Sequence, residues 1–358
     1  MKTLMRIYTY KHFLALALFI LFAGFNGIYA TELQKKIVKG FSVKQDTKII
    51  VDNKFGTVHI NTWSQNRVDV EIEIVAKGNS EKKTKSILNN ISVDIDDHIS
   101  AGYLKFQTQI ESSKGNVSFE INYVVNMPAK NDLKLTNSFG NVYLQNLVGN
   151  TEITVKYGQL LAEDISGKSK ILLTFGSGRT RIGALDDADV TVKYSKVDIE
   201  SANKLKLDDQ FSDARLGKLG SLELRCKYGD IEIDEVDHID GNGAFSGLRI
   251  GQLNGSIVLS GKYGDGITID KVSKNFTNID ISNEFSGVDL TFEKGVRSQL
   301  DLHLSFGSFR TINGQFTFTR VIKKQNTSDY GGYIASENAT SKVKISTKYG
   351  NIKLNVQE

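Results

Sequence analysis

The sequence has almost none of the residues on which disulfide-bonded, zinc-binding and proline-rich proteins depend. Its 358 residues include one cysteine, one proline and one tryptophan. A single cysteine excludes a disulfide scaffold and a cysteine-based zinc site, and a single proline excludes collagen and proline-rich linkers. Glycine, by contrast, occurs 32 times, and 40% of the residues are hydrophobic. That apolar content is sufficient for a buried core, so the chain is not a disordered tail.

The first thirty residues are typical of a secretory signal peptide. Three basic residues (Lys2, Arg6 and Lys11) precede an apolar segment over 13–25, and Ala30 is the small residue before the expected cleavage site. An uncleaved N-terminal anchor is the alternative, but the apolar segment is shorter than the roughly 18 residues of a comfortable membrane span. No later segment approaches that length. No cysteine lies near the cleavage site to carry a lipid.

Cleavage changes the charge balance of the chain. Removal of residues 1–30 takes three of the 45 basic residues and no acidic residue, which leaves 42 basic against 41 acidic residues. The mature chain is therefore nearly neutral. Nothing in its charge indicates a nucleic-acid partner.

A repeat of about 18 residues dominates the mature chain. Its anchor is an aromatic residue followed by Gly or Ser. Ten consecutive anchors, 17 to 22 residues apart, are Phe139, Tyr157, Phe175, Tyr194, Phe211, Tyr228, Phe245, Tyr263, Phe285 and Phe306. Phe55 and Tyr349 are further anchors outside this run. A fixed period of this length is typical of stacked repeat architectures.

Apolar residues surround each anchor in a pattern that predicts a bent strand. They alternate up to the anchor and resume three and five residues after it, so the alternation shifts by one residue. We expect a bend or bulge at the Gly or Ser to return both arms to one side. A third apolar site precedes another small corner, as at Leu147, Ile165, Leu219 and Leu253. We therefore predict an all-β fold, a parallel β-solenoid of about ten rungs of 17–22 residues over 131–312.

An antiparallel meander with a 35-residue hairpin as its unit is the competing architecture. It predicts tight Asn-Gly or Asp-Gly turns between strands. Most small dipeptides lie at the expected rung corners instead, although Asn313-Gly314 and Asp265-Gly266 fit hairpin turns.

The two ends of the mature chain depart from the repeat. We assign 31–130 to an N-terminal β-rich cap, with one short amphipathic helix over 80–91 for which Ser80 is the N-cap. We assign 313–358 to an irregular loop and a final rung, or a strand paired with an edge, over Lys342 to Leu354.

Charged residues near the anchors alternate from rung to rung. Four residues after five consecutive anchors, basic and acidic residues alternate: Arg179, Asp198, Arg215, Glu232 and Arg249. Equivalent residues of a parallel stack lie about 4.8 Å apart, so we expect a structural charge ladder. Lysine precedes each Tyr anchor of the run, at Lys156, Lys193, Lys227 and Lys262. The spacing favours a solvated face that avoids lysine stacking on lysine, and the alternative is a basic stripe that faces an anionic glycan.

Candidate catalytic and metal-binding residues are few. The acidic stretch 230–240 alternates outward along a strand and lacks the Gly-rich calcium repeat. Four histidines are scattered along the mature chain, at His59, His98, His238 and His303. Cys226 takes an inward position and is expected to be an inert core thiol. Trp63 is either a packed residue of the cap or a surface residue on which a ligand stacks. We predict no catalytic residue, no metal and no cofactor.

Several segments resemble bacterial adhesins of a family of secreted β-strand-repeat proteins, similar to head-GIN-type adhesin domains. The resemblance covers about Lys39 to Leu354 and rests on FGTVHINTWSQNRVDVEIEIVAKG, INYVVNMPAK, FGNVYL, YGDIEI and FSGLRI. It implies a β-helical fold and export in a Gram-negative, Bacteroidota-like cell, to the periplasm or the outer cell surface. It implies no catalytic residue.

Three functions follow. The leading hypothesis is an exported non-catalytic β-solenoid that binds polysaccharide or another envelope protein. The second is a polysaccharide lyase or hydrolase on a β-helix. Such an enzyme uses a pair of carboxylates, but with so many outward carboxylates in the chain a pair is expected by chance. The third, implied by the resemblance alone, is a structural or stress-related envelope protein that works with a membrane signalling partner.

Overall fold

The computed structural model describes residues 31–111, 117–244 and 246–358, so the expected signal peptide and the anchor Phe245 lie outside the described residues. The described chain is all-β, with one large sheet and one short α-helix. Unit 1 comprises the described residues of 1–35, 74–91 and 110–119, and unit 2 comprises the described residues of 36–73, 92–109 and 120–358. Over the same ranges, no helix is long and apolar enough to cross a membrane.

The helix α1 spans Glu81–Asn89, and a 3-10 turn spans Ile99–Ala101. The first strands are β1 (Thr31–Ser42), β2 (Lys48–Lys54), β3 (Val58–Trp63), β4 (Arg67–Gly78), β5 (Ile91–His98), β6 (Tyr103–Ile110), β7 (Val117–Pro128), β8 (Leu133–Ser138) and β9 (Val142–Leu144). The central strands are β10 (Thr151–Lys156), β11 (Leu160–Ala162), β12 (Ile165–Thr174), β13 (Arg179–Lys193), β14 (Lys196–Gln210), β15 (Asp213–Lys227), β16 (Asp230–Ala244) and β17 (Gly247–Lys262). The last are β18 (Gly266–Val272), β19 (Asn278–Glu284), β20 (Val288–Phe292), β21 (Ser298–Ser305), β22 (Phe309–Thr311), β23 (Phe316–Lys323), β24 (Thr327–Ile334), β25 (Lys342–Lys348) and β26 (Ile352–Val356).

Unit 1 contains the helix α1, close to where the sequence predicts it. Ser80 occupies the N-cap position, but its side chain makes no capping hydrogen bond. Instead, the Ser80 carbonyl accepts hydrogen bonds from the backbone N–H and the hydroxyl of Thr84, both at 2.9 Å. Ile87 and Leu88 are buried on one face. The predicted helix is present with Ser80 at its N-cap, as the sequence predicts, although the Ser80 hydroxyl accepts no hydrogen bond from the first free N–H groups of the helix.

Consecutive repeats of unit 2 pair in parallel. β10 lies between β8 and β12, which are displaced from it by 18 residues in either direction. Each strand from β13 to β16 pairs in parallel with the next at an offset of 17 or 18 residues. Antiparallel pairing occurs later, where β24 lies between β21 and β23. These registers exclude an antiparallel meander for the repeats of β8 to β17.

The central strands are longer than the short arms that the sequence predicts. β13 to β16 have 15 residues each and β17 has 16, so each strand continues through the expected second corner. At that corner, Glu200 and Asn203 of β14 have no register partner in either neighbouring strand. The corner is therefore a local interruption of the hydrogen-bond ladder rather than the end of a strand.

The core of unit 2 is formed by columns of aliphatic side chains. Ile171 and Leu173 before one anchor, and Ile231 and Ile233 after another, are at most 2% exposed. The third apolar sites lie in one register column and are buried: Leu147, Ile165, Leu185, Ala202, Leu219, Val236 and Leu253. Each repeat therefore completes the core of its neighbours, because no single repeat covers its own apolar face.

The C-terminal strands insert between two earlier repeats. β25 pairs in parallel with β19 on one side and β21 on the other, and β26 lies between β20 and β22. The predicted last repeat is therefore present, but it lies between two earlier repeats rather than at the end of the stack or at an edge. Charge favours the observed place, because Lys344 lies 3.3 Å from Asp280 and Lys353 lies 2.5 Å from Asp289.

Candidate functional site

Each described anchor bends the chain through its own backbone. All eleven have φ between 50° and 62°, a left-handed conformation that costs a non-glycine residue about 1 kcal/mol or more. The predicted bend at the following Gly or Ser is therefore wrong. Where that residue is glycine, neighbouring repeats approach closely, since a Cβ atom on Gly140 would lie 1.9 Å from the carbonyl oxygen of Gly56, and one on Gly158 would lie 2.0 Å from that of Gly140.

The anchor rings form a stacked row, which we call the aromatic column. In nine pairs of neighbouring rings the centroids are 4.5–5.1 Å apart and the ring planes differ by 2–14°. In spatial order the column contains Phe55, Phe139, Tyr157, Phe175, Tyr194, Phe211, Tyr228, and then Tyr263, Phe285, Tyr349 and Phe306. Each stacked pair contributes about 0.5–1.5 kcal/mol, which offsets the backbone strain.

The aromatic column presents ring edges to solvent. Each ring is 37–51% exposed, and within the column each face is covered by a neighbouring ring. The edge of an aromatic ring is the positive part of its quadrupole, whereas the face is negative. A ligand that approaches the column from the side therefore meets apolar, slightly positive edges rather than ring faces.

A row of lysines, the lysine row, runs beside the aromatic column. Neutral residues separate its members in the strand register, because Thr174 lies between Lys156 and Lys193, and Gln210 lies between Lys193 and Lys227. Within the described ranges, Lys156, Lys193 and Lys227 take part in no ion pair of 4.0 Å or less. The fourth predicted lysine, Lys262, differs, because its ammonium lies 3.2 Å from a carboxylate oxygen of Glu284.

The residues of the predicted charge ladder lie on the other arm of the repeat. The guanidinium of Arg179 lies 2.6 Å from Asp198, and that of Arg215 lies 3.3 Å from Glu232. Asp198 is the register neighbour of Arg215, and Glu232 is that of Arg249. The contribution of this alternation to stability stays a prediction.

Two details of the ladder differ from the sequence count. Arg181 rather than Arg179 is the register partner of Asp198, because the segment 176–178 adds two residues after the anchor. Arg249 forms its ion pair with Asp270, at 3.0 Å, rather than with Glu232. Because Arg179 does not lie opposite Asp198 in the register, its side chain reaches Asp198 diagonally across the sheet.

A groove of about 950 Å³ lies beside the ladder, and it is lined by six carboxylates and two arginines. Asp198 and Glu232 line it together with Arg181 and Arg215. Among the described residues, no group of three or more His, Cys, Asp or Glu side chains is placed to hold a metal ion. Two of the six carboxylates, Asp198 and Glu232, form ion pairs with arginines, so the groove carries an excess of negative charge.

Trp63 and Cys226 have local partners. The indole N–H of Trp63, at the end of β3, donates to the carbonyl oxygen of Arg67 at 2.8 Å, and the side chain is half-buried. Cys226 is 2% exposed, and its Sγ lies 3.1 Å from the hydroxyl of Ser246. Burial raises the pKa of the Cys226 thiol to about 12, so the thiol stays protonated and unreactive at neutral pH.

Sequence reasoning missed Asp209. This side chain is fully buried two residues before its anchor, and neither carboxylate oxygen has a hydrogen-bond partner within the described residues. Burial, followed by the negative charges of Asp213 and Asp208, raises the pKa of Asp209 to about 7. The available signal is an acidic residue at a position that holds Val, Leu or Asn in neighbouring repeats.

In three other repeats the position of Asp209 holds a hydrogen-bond donor. The amide of Asn137 donates to the carbonyl of Gly140 at 3.0 Å, that of Asn283 donates to Ser286 at 2.9 Å, and the hydroxyl of Thr347 donates to Gly350 at 3.0 Å. Each acceptor directly follows an anchor. A protonated Asp209 carries an O–H group that can donate in the same way as these side chains. The raised pKa of Asp209 favours this protonated form.

Comparisons with known proteins give remote similarities. No family model and no curated protein matches the chain. Among solved structures, it is similar to candidate adhesins from Parabacteroides merdae (14% identity, 89% of this chain and 96% of that chain, TM-score 0.27) and Bacteroides fragilis (15%, 89% and 97%, 0.24). It is also similar to a candidate cell adhesion protein from Clostridium sporogenes (12%, 91% and 100%, 0.19). Scores this low carry no argument about the function of this chain.

Proposed function

We propose that the mature chain is an exported, non-catalytic parallel β-solenoid that acts as an adhesin-like binding module. In this proposal it works in the periplasm or at the outer surface of a Gram-negative cell, and its ligand is a polysaccharide or another envelope protein. The observation that carries the proposal is the aromatic column. It keeps a long row of rings half-exposed on a strained backbone, and a contiguous exposed apolar surface of this kind is typical of a binding site.

Two further observations support the solenoid and its export. Successive repeats pair in parallel with aliphatic side chains in continuous register columns, which is the packing that a solenoid requires. The first thirty residues have the sequence pattern of a signal peptide. They lie outside the described residues, so export rests on sequence alone.

The arrangement of the carboxylates favours binding over catalysis. A glycosidase needs two accessible carboxyl groups, one of which has a raised pKa. Two of the six carboxylates of the groove, Asp198 and Glu232, lie against arginines. Two others, Glu163 and Asp164, accept hydrogen bonds from backbone N–H groups. The carboxyl group whose pKa is raised to about 7, Asp209, is buried in the core, where a sugar chain does not reach it.

The direct test uses residues 31–358 against immobilised neutral polysaccharides, acidic polysaccharides and solubilised envelope proteins. Retention is measured in the same assay as the release of new reducing or unsaturated sugar ends. We expect retention without new ends. New ends would contradict the non-catalytic assignment, and a chain that is retained on no component would contradict the binding module itself.

A further inference from the structure

We infer that the aromatic column and the lysine row together bind a linear anionic polysaccharide that runs along the stack of repeats. We call this surface the aromatic–lysine stripe. It consists of the rings of Tyr157, Phe175, Tyr194, Phe211 and Tyr228 and the side chains of Lys156, Lys193 and Lys227. The inference rests on the proposed binding function and adds to it the ligand class and the site.

The lysines of the stripe differ from those of a parallel row four residues earlier in each strand. In that row Lys134 lies 3.1 Å from Glu152, and Lys206 lies 2.9 Å from Glu223. Lys156, Lys193 and Lys227 have no such acidic partner within the described residues, and their register neighbours are neutral. Positive charge is therefore compensated on the earlier row and uncompensated beside the rings.

The geometry of the rings favours an anionic over a neutral sugar chain. A neutral sugar gains most from an aromatic ring by packing on its face, and inside the column those faces are covered by neighbouring rings. The exposed ring edges and the ammonium groups are both positive. Carboxylate or sulfate oxygens are the ligand groups that match both.

The spacing of the lysines favours a linear polymer with regularly repeated charges. They stand on every second repeat, which places them two strand spacings, or roughly 9.6 Å, apart. A polymer with one carboxylate on every second sugar presents charges at a comparable interval. The next row outward holds Thr154, Leu172 and Thr191, followed by Asp208 and Arg225. Arg225 lies 3.6 Å from Glu223, so the uncompensated positive charge forms one line, whereas a bilayer surface would match a broad basic face.

The test measures binding to hyaluronate, which has one carboxylate for every two sugars, with uncharged dextran as the reference polymer. The stripe variant is K156Q/K193Q/K227Q. The matched control is K130Q/K204Q/K294Q, which removes the same charge from exposed lysines that lie away from the stripe and form no ion pair in the described structure. Circular dichroism and thermal unfolding establish that both variants fold.

We expect the unaltered chain to bind hyaluronate and to lose affinity with added salt. The stripe variant should bind roughly tenfold more weakly or worse, with the control variant close to the unaltered chain. A second variant, Y194N/F211N, removes two rings while Asn tolerates the left-handed backbone, and it should also weaken binding.

Several results would contradict polysaccharide binding at the aromatic–lysine stripe but leave the proposed binding function intact. These are equal binding of dextran, equal loss in the control variant, or a stripe variant that binds hyaluronate as well as the unaltered chain. Lysine-dependent binding to anionic vesicles or duplex DNA without retention on hyaluronate would replace the polysaccharide by another partner. Retention on a neutral glycan or an envelope protein alone would leave only the proposed function.

Discussion

At the scale of single residues, Asp209 is a carboxyl group at a position where several other repeats hold an apolar side chain and three hold a hydrogen-bond donor. Its pKa in the folded chain is about 7, above the ordinary value of 3.8. Because the folded state binds the proton more tightly, Asp209 destabilises the fold when ionised. The penalty is absent well below pH 4, grows as the pH rises from about 4 to 7, and is complete above pH 7.

We expect Asp209→Asn to stabilise the protein by roughly 2–4 kcal/mol at pH 8. The amide would donate to the carbonyl of Ser212, as Asn137 donates to Gly140. Urea unfolding at pH 8 and at pH 5 measures the effect, and the gain should shrink at the lower pH. The control is Asp208→Asn at the neighbouring, half-exposed position, which relieves only the smaller repulsion between the two carboxylates, so a much smaller gain is expected. A gain for Asp209→Asn that does not depend on pH would contradict the assignment.

The glycine that follows the anchor Phe139 gives a second residue-scale prediction. In Gly140→Ala the added Cβ would meet the carbonyl oxygen of Gly56 at 1.9 Å, whereas in Gly243→Ala the nearest atom would be 3.9 Å away. We expect Gly140→Ala to cost at least about 2 kcal/mol and Gly243→Ala to be nearly neutral. The thermal midpoints of the two variants measure the difference, and similar midpoints would mean that the bends are not closely packed.

At the scale of strands, the alternating charges on neighbouring repeats predict a cost for reversing one of them. Glu232→Lys removes the 3.3 Å contact with Arg215 and places three positive charges at successive register positions. The side chains are more than half exposed, so we expect a loss of up to about 1 kcal/mol, larger at low salt.

Unfolding in urea at low and high salt measures that loss. Glu232→Gln is the control, because it removes the attraction without adding repulsion. It should cost less than Glu232→Lys and respond less to salt. If Glu232→Lys unfolds like the unaltered chain at low salt, the ladder has no role in stability.

The place of β25 shows what a local pattern does not determine. The sequence predicts a repeat at Tyr349, and that repeat is present, but between β19 and β21 rather than at the end. Strand neighbours are long-range choices, and the period alone does not encode them. One signal was available, since Phe285 and Phe306 break the Phe–Tyr alternation in sequence, and Tyr349 restores it in space.

At the scale of the whole molecule, the sequence predicts the all-β class, the period, and the buried columns at Leu147 and Ile165. It fails at the bend, because a left-handed aromatic residue is unfavourable by local preference. Only stacking with the rings of neighbouring repeats makes that conformation stable. It also fails at Asp209, because the cost of burial depends on packing that a single repeat does not reveal.

The central claim is that consecutive repeats stack in parallel and in register, which also aligns the aromatic column and the lysine row. Pulsed EPR tests it with pairs of spin labels in a Cys226→Ala background. One label is at Thr154, and the second is at Arg225, Asn242 or Ser260, four, five or six register steps away. We predict backbone separations of about 19, 24 and 29 Å, rising by one strand spacing per step. A separation between Thr154 and Asn242 that departs from about 24 Å, or separations that do not grow with the number of register steps, would contradict the parallel stack.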